Sequence, residues 1–140
     1  MIREILENTR TIATVGASSD SSKAAGSVPR YLNRIGFRVI PVNPGATELF
    51  GQRCYPSLLE IDEPVDVVQV FRPAEEAPVI ARQAVKIRAQ TLWLQLHIKS
   101  DEARRIAEES GLTYVEDRCM AVESRRLGIS KNRQLDHDHR

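Results

Sequence analysis

Five short runs of apolar and β-branched residues alternate along the chain with stretches of helical periodicity. The first run, Thr11 to Val15, stops abruptly at Gly16-Ala-Ser-Ser-Asp-Ser-Ser22, seven small or turn-forming residues. The second, Arg38 to Val42, is closed by Asn43-Pro44-Gly45, and the third, Val65 to Phe71, is bounded by Pro64 and Pro73. Thr91 to Leu96 and Leu112 to Val115 complete the set. Between them, Ala25, Val28, Leu32 and Ile35 predict a helix over Ala24 to Arg34, ended by Gly36. Proline fits the first turn of a helix, so Pro29 moves the expected start toward Ser27. Ala77, Ile80, Ala81, Ala84 and Val85 share one face of a helix within Pro73 to Ala89. Ile2 to Asn8, Asp101 to Ser110 and residues 120–127 also read as helical. Residues 46–64 read as irregular, with one helical turn at Ser57 to Ile61.

Strands that are apolar without alternation belong in a sheet covered on both faces, which points to helices on either side of a parallel sheet. Right-handed crossovers make that sheet open. Ligands of such sheets bind outside the carboxyl ends of the strands. The candidate site residues are therefore Gly16 to Ser19, Asn43-Pro44, Phe71-Arg72, Gln95-Leu96-His97 and Asp117-Arg118-Cys119. One domain is expected over residues 1–128, and the polar tail 129–140 is expected to be disordered.

Charge narrows the partners. A formal net charge of +1 excludes the basic footprint of a duplex-binding protein, though not a small anionic ligand. No apolar run spans a bilayer, and the mixed-charge N-terminus lacks a signal-peptide core. Neither nucleic acid nor membrane is expected as a partner. Cys54 and Cys119 match no metal-ligand or redox spacing, and a cytoplasmic protein with reduced thiols is the expectation.

The loop Gly16 to Ser22 has the N–H groups and hydroxyls to cradle a phosphate at a helix start. A plain turn with a Ser or Asp cap explains the same residues, and the segment alone leaves both readings open. Gly16 stands where a dinucleotide fingerprint begins, but Ser18 and Asp20 or Ser21 replace its later glycines. No carboxylate follows the second strand to receive a ribose hydroxyl; Arg38 and Lys23 are the cations available for a ribose phosphate. Arg72 is the stronger cation, because it lies at a strand's ligand-facing end. Catalytic candidates are sparse. His97 has no nucleophile beside it, and Glu75, Glu76, Asp117 and Glu123 have no acid–base spacing. Cys119 beside Arg118 has a setting that favours thiolate, against the simpler reading of a buried structural thiol. His137 and His139 fall in the tail.

The run Thr11 to Ser19 resembles the first strand and loop of the small stand-alone CoA-binding proteins of bacteria and archaea. Val39-Ile-Pro-Val-Asn-Pro44 with Gly51 and Cys54-Tyr55, Thr91 to Leu96, and Asp117-Arg118-Cys119 with Glu123 resemble the same family. Those proteins are similar to the CoA-binding domain of the succinyl-CoA synthetase alpha subunit, and the match runs from Thr9 to Leu127. The resemblance implies a Rossmann-like three-layer fold with a five-stranded, mostly parallel sheet. It also implies coenzyme A as ligand, with Gly16, Ala17, Ser18 and Ser19 on the diphosphate and Arg38 with Lys23 near the adenosine phosphate. Val42, Asn43 and Pro44 would line the nucleotide pocket; Phe71, Arg72 and Gln95 would contact the adenine or the pantetheine arm. The synthetase histidine lies in a second domain absent here, so a binder of CoA or acyl-CoA without its own catalysis is expected. It would act as carrier, sensor or subunit, with a protein partner possible and the oligomeric state open. The alternatives are a nucleotide-dependent oxidoreductase, an acyl-CoA ligase or transferase subunit, and a thiol-redox protein whose Cys119 joins the CoA thiol.

Overall fold

In the computed structural model, which describes residues 1–132, helix Ile2–Asn8 (α1) leads into strand Thr11–Val15 (β1) and helix Ala24–Arg34 (α2). Strand Arg38–Val42 (β2) follows, then two short strands, Glu48–Leu49 (β3) and Gln52–Arg53 (β4). Next come Val67–Val70 (β5), Ala77–Lys86 (α3), Thr91–Leu94 (β6), Asp101–Glu109 (α4), Thr113–Val115 (β7) and Met120–Arg126 (α5). Single 3-10 turns sit at Leu58–Glu60 and Ala74–Glu76.

Five strands form one parallel sheet in the order β2-β1-β5-β6-β7. Val15 lies opposite both Val42 and Val70, so the ends of β2, β1 and β5 are level. All five carboxyl ends point to one rim. The stretch read as irregular holds an antiparallel hairpin, β3 with β4, turned through Phe50 and Gly51 at φ 56° and 72°.

The strands are buried on both faces, as their unbroken apolar runs require. One layer packs Val68, Val70, Leu92 and Leu94 against Ala77, Ile80, Ala81 and Ala84 of α3 and Ala103 and Ala107 of α4. Those alanines let two helices lie side by side on the sheet. The other layer packs Ile12, Val39, Val67 and Trp93 against Leu6, Val28, Leu32 and Met120. A polar thread crosses the core: Thr14 Oγ1 donates to Gln69 Oε1 (2.7 Å), and Gln69 Nε2 donates to Gln95 Oε1 (3.1 Å). Gln95 Oε1 also accepts the Met120 N–H at 3.0 Å.

Pro29 does not delay α2, which starts at Ala24 and contains it. Proline's missing N–H leaves the Ala25 carbonyl without its usual helical donor. The Ser18 N–H takes that carbonyl at 3.0 Å, so the break in the ladder becomes a tie to the preceding loop.

The tail expected to be disordered is held where it is described. Ile129 packs on the second layer, the Lys131 N–H donates to Ile35 O (2.7 Å), and Lys131 Nζ donates to Glu7 O (2.8 Å). Residues 133–140, including His137 and His139, lie outside the described residues. Among the described residues no helix is long and apolar enough to cross a membrane.

Candidate functional site

The chain winds outward from β1 to β2, then returns to β5 on the other side of β1. Its crossovers diverge above the carboxyl ends of β1 and β5, the position where such sheets open a crevice. A cleft of about 490 Å³ lies there. Val15 and Gly16 form its base, Asn43, Pro44 and Leu58 one wall, and Arg72, Val79 and Ile80 the other.

The loop after β1 is shaped by two glycines. Gly16 has φ 88°, and a Cβ there would lie 2.8 Å from Arg72 Cδ and 3.1 Å from the Phe71 carbonyl oxygen. Gly26, inside α2, lets the loop close down: its Cβ would lie 2.2 Å from Asp20 O. The close-packing glycine absent from the expected fingerprint is thus supplied from within the helix. A glycine in a helix interior is the signal that marks it in the sequence.

Loop N–H groups alternate in their commitments. Gly16 N–H donates to Val42 O (2.9 Å), Ser18 N–H to Ala25 O, Asp20 N–H to Ser18 Oγ (3.0 Å) and Ser22 N–H to Asp20 Oδ1 (2.9 Å). Those of Ala17, Ser19 and Ser21 make no hydrogen bond among the described residues. The Ser22 hydroxyl and N–H together hold the Asp20 carboxyl below its usual range. Arg30 braces the loop from α2, donating to Ser19 O (2.9 Å) and Gly26 O (3.0 Å).

Asn43 joins the first two loops. Its Nδ2 donates to Ala17 O (2.8 Å), while its Oδ1 accepts the Gly45 N–H (2.8 Å). Arg72 crosses the mouth and grips Glu76 with a two-pronged fork, Nε to Oε1 at 3.0 Å and Nη2 to Oε2 at 2.7 Å. Those hydrogen bonds hold the Glu76 carboxyl below its usual range. Both side chains remain about half exposed.

Of the residues singled out in the sequence, Gly16, Val42, Asn43, Pro44 and Arg72 border the cleft. Ala17, Ser18 and Ser19 form the adjoining loop, and Lys23 is exposed at the N-cap of α2. Phe71 packs instead into the layer beneath α2 and α5. Gln95 is in the core, its oxygen taken by Gln69 and Met120. Arg38 does not border the cleft. It begins β2, roughly 13 Å along the strand from Val42, and binds Glu63 through Nε (2.5 Å) and Nη2 (2.6 Å). That puts it on the opposite rim.

Cys119 is half-buried at the N-cap of α5 and packs on the second layer, away from the cleft; its neighbour Arg118 turns to Glu123 at 3.9 Å. Cys54 is buried, with Sγ 3.6 Å from Asn43 O, and burial pushes its thiol pKa up. The sequence reading missed part of each wall of the cleft. Pro56 to Leu58 sat in the stretch read as irregular, and Glu76, Val79 and Ile80 looked like ordinary helix residues.

A doubly wound parallel sheet with a glycine loop and a cleft at its switch point defines a Rossmann-like α/β domain. The chain belongs to the CoA binding domain family, whose model matches residues 10–125. It is 36% identical over 121 residues to YneT of Bacillus subtilis (strain 168), covering 86% of this chain and 90% of that protein. Cell-free ID.343 from Thermus thermophilus superposes with a TM-score of 0.86 at 41% identity, covering 90% of this chain and 96% of that one. The ADP-forming acetate–CoA ligase of Methanocaldococcus jannaschii is 20% identical over 129 residues. That match takes in 86% of this chain but only 18% of the ligase.

Proposed function

We propose that this chain binds coenzyme A or an acyl-CoA as a carrier, sensor or subunit, and that any acyl chemistry is done by another domain or protein. The observation that carries this reading is the Gly16 loop, with exposed residues Ser19 and Ser21 whose N–H groups have no acceptor among the described residues, and Arg72 beside it at the switch point. Backbone N–H groups at a helix start together with a guanidinium fork suit the oxygens of a diphosphate. The adenosine would run along Val42, Asn43 and Pro44, with Lys23 near its phosphate.

Asn43 weighs against a nicotinamide dinucleotide. It holds the place where an Asp or Glu would take the ribose hydroxyls, and its amide is already committed to Ala17 and Gly45. Nor does the cleft present a general acid–base pair, since Glu76 is tied to Arg72. Membership of the family and likeness to part of an acetate–CoA ligase support the same ligand.

Calorimetric titration with CoA, NAD and NADP tests it. CoA is expected to bind, with neither nicotinamide nucleotide competing at equal concentration. Preference for NAD or NADP would overturn the reading.

A further inference from the structure

The charged groups at the cleft mouth have the wrong sign for a polyanion as they stand. Arg72 is there with two carboxylates, Glu75 and Glu76, and its fork is already occupied by Glu76. The geometry of that occupation is informative. An arginine fork meets two oxygens of a carboxylate in the same planar arrangement by which it meets two oxygens of a phosphate. Glu76 therefore sits in the position of the ligand's own anion. The stem of Arg72 lies across Gly16, close enough that a Cβ there would be 2.8 Å from Cδ and 3.3 Å from Cγ. That contact sets the Arg72 stem beside the loop whose exposed Ser19 N–H has no acceptor among the described residues. The Arg72–Glu76 pair is about half exposed on both sides, so it is weak enough to be exchanged.

We infer that Glu76 is an internal competitor for Arg72, released when the phosphates of the ligand take the guanidinium, and that it makes binding depend on the ligand's anionic charge. The inference rests on the coenzyme reading above and deepens it by naming a specificity-determining residue. A neutral nucleoside gains nothing from Arg72, because it cannot displace the carboxylate. A diphosphate displaces it and gains both the fork and the loop N–H groups.

The test uses Glu76→Gln, Arg72→Gln and the double variant, titrated with CoA, ADP and adenosine beside the wild type. Glu76 is an exposed position, and unchanged thermal midpoints would establish that each variant is folded. Glu76→Gln is expected to bind CoA and ADP about two- to fivefold more tightly, the range of a released surface ion pair. Adenosine affinity should stay unchanged, which a merely structural role for Glu76 would not give. In the Arg72→Gln background the gain from Glu76→Gln should disappear. An equal gain in that background would mean plain repulsion and would overturn the competition. Unchanged or weaker CoA binding by Glu76→Gln, with wild type binding normally, would overturn it as well. Failure of every variant and the wild type to bind CoA or ADP would instead sink the coenzyme reading, and the competition with it.

Discussion

The two rims of the sheet each carry an arginine gripping a glutamate with both prongs, yet they are built for different ends. At the amino rim, Arg38 holds Glu63, and Asp66 Oδ2 accepts the N–H groups of Arg10 (2.9 Å) and Thr11 (3.0 Å) at the start of β1. The protein's own carboxylates occupy the donors there. At the carboxyl rim, Arg72 holds Glu76 beside a cleft, and alternate N–H groups of the Gly16 loop have no acceptor within the described residues. The lesson is that a cation near a nucleotide fold means little until strand direction places it. What marks the site is unspent hydrogen-bonding capacity at the switch point.

The carboxyl rim breaks most completely at its narrowest contact. Gly16→Val forces a β-branched residue to φ 88° and drives its Cβ onto Arg72 and the Phe71 carbonyl. CoA affinity is expected to fall on the order of a hundredfold, about 2.7 kcal/mol, by calorimetry. Gln95→Leu separates core from site. It strips partners from the Gln69 amide and the Met120 N–H, and stability in urea should drop by about 2 kcal/mol, with CoA affinity within about twofold of wild type. A large affinity loss with intact stability would return Gln95 to the ligand.

The two arginines give the direct contrast. Arg72→Gln should weaken CoA binding about tenfold, the worth of a charge-assisted hydrogen bond, whereas Arg38→Gln should change it less than about twofold. Equal losses would erase the distinction between the rims. The smallest effect is in the acid range. Arg38 holds the Glu63 carboxyl below its usual value, so the pair stabilises the fold above the ordinary glutamate pKa of about 4.3. That contribution is lost as pH falls through the lower value in the folded state. The stability gap between wild type and Arg38→Gln, no more than about 1 kcal/mol at pH 7 for so exposed a pair, should therefore close by about pH 3. A gap that persists there would point to packing by the arginine stem.

The strands at Thr11–Val15 and Arg38–Val42 were legible to the residue, because Gly16 and Asn43-Pro44 punctuate them sharply. The β3–β4 hairpin was not, since strands of two residues have no period to detect. Pro29 misled because its cost was judged within the helix, while its compensation comes from Ser18 in the loop before it. Gln95 sits just past a strand end, where a polar residue looks ligand-facing. Its partners Gln69 and Met120 are distant in sequence and are brought to it only by the sheet. Arg38 lies at the start of its strand and Asn43 just past the end, so direction alone separates them. Glu76 carried no signal without the fork of Arg72 beside it.

A crystal structure of the protein grown with CoA tests the carboxyl-rim site most directly. The diphosphate should lie within hydrogen-bond reach of the Ser19 N–H, with the adenosine along Asn43 and Pro44 and the Arg72 fork turned off Glu76. Coenzyme seated beside Arg38 on the opposite rim, or bound with the Gly16 loop untouched, would contradict the assignment.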